Sequence, residues 1–271
     1  MTDPARTWSY GPGADQFLEV TLPPGGAPAP VAVVLHGGFW RARYGVELAR
    51  PLAADLAARG WAAVAVEYRR VGAGGGWPAT LDDVAAALDA LPGIGWAGED
   101  TAARLDLTDV TVIGHSAGGQ LAAGATGRGR LPAGAPGAAP RVAVTAAVLQ
   151  AGVLDLTAAV AADLGAGATV EFLGGTPAEV PDRYAAADPV RLLPTGVPVL
   201  CVHGAADTTV PLEQSERYAA AAGALGDRVE VTVVPGDHMA VIDPAGEAWR
   251  RTLEWVTARR TARADRTTLG S

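Results

Sequence analysis

The chain predicts an α/β fold: a mostly parallel central sheet with helices on both faces and a small cap inserted late in the sequence. Apolar runs of strand length alternate with alanine- and leucine-bearing helical stretches along the whole chain, the pattern of a sheet assembled from crossover connections. Several of these runs, 30–35 above all, lack polar alternation, as strands covered on both faces must. With strands and helices alternating throughout, the sheet should be mostly parallel and its loops should gather at the strands' C-terminal ends. With 271 residues, 49% hydrophobic and 18% charged, one domain over 1–271 with a modest insertion accounts for the length.

Taken in order, 17–22 is a short strand closed by Pro23-Pro24-Gly25-Gly26, and 30–35 is the buried strand leading into His36-Gly37-Gly38-Phe39-Trp40. A helical pattern over 46–59 stops at Gly60, and 62–68 is the next strand. After the glycine loop 72–76 comes a helix with Thr80 expected as its N-cap and Asp82 and Asp83 in its first turn, ending near Leu91-Pro92-Gly93. Residues 110–113 form a strand that runs into Gly114, and 120–125 is helical. The Gly/Pro/Ala-rich stretch 126–140 reads as a loop and 142–149 as a strand. Residues 153–193, with helical patches and little strand propensity, are expected to be the cap. Strand 197–202, helix 212–222, strand 229–234 and helix 245–257 complete the chain, and the polar tail 260–271 is expected to fray.

Composition excludes several functions. A net charge of −8 with scattered arginines leaves no basic face for nucleic acid. All basic residues are arginine, which removes Schiff-base, pyridoxal-phosphate and P-loop chemistry, each of which needs a lysine amine. The one cysteine, Cys201, lies in an apolar strand run, so no intrachain disulfide is possible. The N-terminus has no basic-then-apolar leader and no apolar run is long enough to span a bilayer, from which a cytoplasmic protein with no membrane partner is expected.

Chemistry concentrates in Gly114-His115-Ser116-Ala117-Gly118, set between a strand and a helix. A serine on so sharp a turn is held clear of the sheet in a strained conformation, with room only for small neighbours. The helix beginning there points its free N–H groups at any oxyanion beside Ser116. A serine hydroxyl needs a base and a group that orients the base. Of the four histidines, His36 sits in a glycine turn, His115 inside the elbow and His203 at a strand end. His238, on the loop after the last strand, is the candidate base. Asp207, after the penultimate strand, is the candidate acid; Asp155, one strand earlier, is the alternative, and Asp237 is assigned to its own loop. Gly38 or Phe39, with Ala117, can supply oxyanion N–H donors. Trp40 and Trp77 are candidate walls of a substrate pocket. The histidine spacing offers no metal-ligand pattern.

These motifs, Gly-His-Ser-Ala-Gly-Gly at 114–119, His-Gly-x-x-Asp at 203–207 and Asp-His at 237–238, in that order, resemble the α/β-hydrolase superfamily over nearly the whole chain. His-Gly-Gly-Phe-Trp at 36–40 is similar to the His-Gly-Gly-x-Trp signature of the kynurenine formamidase branch, itself similar to hormone-sensitive-lipase-like esterases. Those esterases usually carry a third glycine where this chain has Phe39. The resemblance implies Ser116, Asp207 and His238 as nucleophile, acid and base, and hydrolysis of a small ester or N-formyl arylamine without a cofactor. The competing readings are an acyltransferase, a peptidase like the prolyl oligopeptidases, or a non-catalytic ligand-binding relative.

Overall fold

The computed structural model describes residues 4–96 and 101–269. Its centre is an eight-stranded sheet of β1 (Arg6–Ser9), β2 (Phe17–Thr21), β3 (Ala29–Leu35), β4 (Ala62–Val66), β5 (Leu105–His115), β6 (Ala146–Gln150), β7 (Val199–Gly204) and β8 (Val229–Val234). The spatial order is β1-β2-β4-β3-β5-β6-β7-β8, parallel from β4 onward, with β1 and β2 antiparallel at one edge. Period-two alternation explains why β3 is apolar throughout. Val31, Val33 and Leu35 enter the core on one face, while Ala32 and Val34 enter the core on the other.

The helices are α1 (Arg50–Ala58), α2 (Ala79–Ala90), α3 (Ala117–Gly127), α4 (Leu156–Ala161), α5 (Ala168–Leu173), α6 (Pro181–Ala187), α7 (Glu213–Ala224) and α8 (Glu247–Leu269). The short helices α4 to α6 occupy the stretch 153–193 between β6 and β7. No helix among the described residues is long and apolar enough to cross a membrane.

Four local expectations are corrected. Thr80 does not cap α2 from outside; it lies within the helix, where its hydroxyl accepts from Gly76 N–H at 2.9 Å and donates to Arg69 carbonyl at 2.6 Å. The strand expected at 142 starts only at Ala146, because the N–H groups of Arg141 and Val142 are taken by the Asp89 carboxylate instead of a neighbouring strand. β1 is an additional strand, its half-buried side anchored by the Trp8–Trp96 edge contact and by Arg6 over the Trp96 ring. Of the tail 260–271, expected to fray, residues 260–269 continue α8 and 270–271 lie outside the described residues. Arg259 reaches the buried Asp109 carboxylate and Thr111 Oγ1, and Arg263 reaches the Thr108 carbonyl at 2.7 Å. A charge paired inside the fold holds a helix that its polar sequence would not.

Candidate active site

Ser116 sits between β5 and α3 with φ 56° and ψ −118°, a conformation that an L-residue keeps only when its surroundings dictate it. They do. Its N–H donates to Gln150 carbonyl at 2.8 Å, and its carbonyl accepts from Gly119, Gln120 and Val153. The flanking glycines are obligatory by contact: a Cβ on Gly114 would lie 2.0 Å from Gly118 carbonyl oxygen, and one on Gly118 2.3 Å from that of Leu35. Ala117 opens α3, so its N–H has no partner within the helix and stands at the positive end of the helix dipole.

Asp207 and His238 come together from the loops after β7 and β8. His238 Nδ1 donates to Asp207 Oδ2 at 2.7 Å. The two loops are joined by backbone bonds, Ala205 N–H to Val234 carbonyl and Ala206 N–H to Gly236 carbonyl, and β7 ends in Gly204 because a Cβ there would meet the carbonyls of Gly236 and Asp237 at 2.6 Å. Burial alone would raise the Asp207 carboxyl, but hydrogen bonds from His203, His238 and Val210 N–H outweigh it and hold the group well below the usual carboxylate range. With a proton on Nδ1 facing this carboxylate, the lone pair of His238 is left on Nε2. Asp155, the alternative acid, instead caps α4 by accepting from Ala158 N–H at 2.8 Å, and Asp237 accepts from Met239 and Ala240 N–H within its own loop.

The loop after β3 packs directly on the elbow. A Cβ on Gly37 would lie 2.8 Å from His115 Nδ1 and 3.0 Å from Ser116 Cβ. Gly38, Phe39 and Trp40 all have positive φ, and the turn is closed by Arg41 N–H to Gly38 carbonyl and Val71 N–H to Trp40 carbonyl. Beneath it, His36 Nε2 contacts Glu67 Oε1 at 3.0 Å, and Glu67 Oε2 accepts from Val46 N–H. His36 thus braces the loop.

Ser116, His238, Gly38, Phe39 and His115 border one cleft of about 200 Å³, together with Tyr44, Leu48, Thr209 and Met239. Trp40 and Trp77 are not in its lining, which corrects the expected tryptophan wall. Trp40 is 1% exposed, stacked on Phe172 at 4.5 Å and bonded through Nε1 to Gln120 Oε1 at 3.0 Å. Trp77 is half-buried against the same core. Of these two neighbours, Phe39 borders the cleft and Trp40 is buried in the core. Met239 adjoins the Asp237-His238 motif in sequence, a signal that could have singled it out; Tyr44 and Leu48, four and eight residues beyond Trp40, carry none.

Sheet order, elbow and the strand-end loops around it define the α/β-hydrolase fold. A family model fixes the affiliation further: the chain belongs to the BD-FAE family, matched over residues 18–221. Esterase LipQ of Mycobacterium tuberculosis is 32% identical over 221 residues, covering 78% of this chain and 51% of that protein, so the chain spans about half the length of that relative. Among solved structures, a truncated carbohydrate esterase from gut microbiota superposes with a TM-score of 0.80 at 20% identity, covering 96% of each chain. Esterase 2 of Thermogutta terrifontis, phosphoramylated by tabun, gives a TM-score of 0.72 at 25% identity, covering 95% of this chain and 94% of that one.

Proposed function

We propose that the protein is a carboxylesterase in which Ser116 is the nucleophile, His238 the base and Asp207 the group that orients it. The observation that carries this is the 2.7 Å pairing of the buried Asp207 side chain with His238, which borders the same cleft as the strained Ser116. Ser116 Oγ attacks the ester carbonyl while His238 Nε2 takes its proton; the carbonyl π electrons move to the oxygen, which the N–H groups of Ala117 and of Gly38 or Phe39 receive. Collapse breaks the bond to the leaving alcohol, which takes the proton from His238. Water, activated by the same imidazole, then releases the acid and restores Ser116. The esterase names of LipQ and of the Thermogutta enzyme support this reading.

The acyl group would enter the cleft that Ser116 and His238 border. Its Phe39, Tyr44, Leu48 and Met239 walls are apolar or aromatic and suit a short acyl group. The stretch 153–193 serves as the cap of a single domain, with Gly165 packed under the Phe39 ring. A second reading, hydrolysis of an N-formyl arylamine, is favoured by the Phe39 and Tyr44 rings beside the reacting serine, since offset stacking adds roughly 0.5–1.5 kcal/mol to burial. The test is kcat/KM over aryl acetate, propionate, butyrate and octanoate esters, matched alkyl esters and an aryl formamide. Turnover should peak at two to four acyl carbons; a maximum at octanoate would contradict the proposed cleft.

A further inference from the structure

Two buried polar side chains beside the cleft have no part in that chemistry. His115 closes β5 and Gln150 closes β6, and they are register partners in the ladder, 5% and 0% exposed. Each sends a donor to the loop that carries His238. His115 Nε2–H reaches the His238 carbonyl at 3.0 Å, and Gln150 Nε2–H reaches the Val241 carbonyl at 2.7 Å. Each also leaves its second polar atom, His115 Nδ1 or Gln150 Oε1, buried without a hydrogen-bond partner among the described residues. An unpaired buried polar atom is unfavourable, and an apolar side chain of equal size would avoid it. What both residues retain against that cost is the bond to the 238–241 loop.

We propose that His115 and Gln150 are positioning residues, a two-point tether that fixes the loop bearing His238 to the ends of β5 and β6. The proposal rests on His238 being the base. Asp207 holds the imidazole ring by Nδ1, while the tether holds the backbone at His238 and three residues on. A carbonyl acceptor requires the proton of His115 to sit on Nε2. Burial, reinforced by the neighbouring His238, pushes its basicity down to about 3. With ring centroids 4.5 Å apart, a neutral His115 adds no repulsion when His238 accepts the serine proton. The titratable groups facing it are His238, Asp207 and His203; on the β3 side it meets Gly37, which has no side chain.

The test compares wild type, His115→Phe, His115→Gln and Gln150→Met on a short-chain 4-nitrophenyl ester, with active-site titration by a fluorophosphonate to count folded, competent sites. His115→Phe keeps an aromatic ring, one ring atom larger, and removes the donor; His115→Gln places an amide donor where Nε2 stood. Losing the tether bond should lower kcat per titrated site by about 10- to 100-fold with KM held within about twofold, the range set by one buried hydrogen bond. His115→Gln should stay within about threefold of wild type, and the acid limb of its pH profile should stay in place while that of His115→Phe moves. A merely structural role would lower Tm without splitting kcat from KM. If His115→Phe does not fold, Gln150→Met, nearly isosteric, carries the same expectation. Unchanged kcat in Gln150→Met, or His115→Gln as impaired as His115→Phe, overturns the tether. A wild type that neither labels nor turns over would instead remove the base assignment beneath it.

Discussion

Asp207→Asn is the substitution whose consequence the geometry specifies best. Oδ1 accepts from the backbone N–H groups of Thr209 at 2.8 Å and Val210 at 2.9 Å, while Oδ2 faces His238 Nδ1 at 2.7 Å and His203 Nε2 at 3.4 Å. Every contact is a donor, and the backbone pair cannot change its chemistry. The asparagine carbonyl must therefore stay at the Oδ1 position and the NH₂ group must face the histidines. His238 then has to present its lone pair at Nδ1 and carry its proton on Nε2, the nitrogen meant to accept from Ser116. A wrong tautomer of this kind costs about 10⁴-fold in kcat, or roughly 5 kcal/mol of transition-state stabilisation. Folding should change much less, since both backbone bonds survive. The assay is kcat/KM on 4-nitrophenyl acetate beside a thermal melt, with Asp155→Asn as comparison. Asp155 caps α4, so its amide should cost under about 1 kcal/mol of stability and little activity. A tenth of wild-type activity in Asp207→Asn, or a larger loss in Asp155→Asn, would refute the reasoning.

Other substitutions separate chemistry from packing. Ser116→Ala and His238→Ala should each reduce kcat by on the order of 10⁴-fold or more, and the double variant should be hardly worse than either, because the members act as a unit; additive losses measured on the same ester would argue otherwise. Asp188 is buried, which pushes its carboxyl up to about 6 despite hydrogen bonds from Leu156 and Thr157 N–H. Raised above the unfolded value near ~3.9, it binds more protons folded than unfolded, so its contribution is most favourable below about pH 4 and is lost as pH rises through about 6, roughly 3 kcal/mol in all. Asp188→Asn should therefore gain in Tm relative to wild type between those pH values; a constant difference would contradict this. Trp40→Leu removes a stacked, hydrogen-bonded core ring and should cost about 2–4 kcal/mol of stability without altering the aryl-to-alkyl ratio of kcat/KM, whereas Phe39→Leu should lower that ratio.

The central strands and the elbow were legible in the sequence because their causes are local. A strand covered on both faces needs an apolar run such as 31–35, and the backbone crowding at Gly114 and Gly118 admits no larger residue. Chain order favoured Asp207 over Asp155 and pointed to His238, but the cap that Asp155 makes for α4 was not legible, since it depends on where that helix begins. What escaped depends on distant partners. α8 outlasts its polar sequence because Arg259 and Arg263 find Asp109 and the Thr108 carbonyl about 150 residues away. Trp40 is drawn into the core by Gln120 and Phe172, and nothing in His-Gly-Gly-Phe-Trp distinguishes the ring that faces the cleft from the one that faces inward. The roles of His115 and Gln150 were likewise invisible, because both act on the 238–241 loop, which joins them only in three dimensions.

The central claim, that Ser116 is the nucleophile of an ester hydrolase, is tested most directly by reacting the protein with a fluorophosphonate and locating the adduct by peptide mass spectrometry while following ester turnover. One adduct per chain is expected, on the peptide containing Ser116, with activity lost in proportion to labelling and no adduct in Ser116→Ala. An adduct on another residue, or full ester turnover by a completely labelled protein, would contradict it.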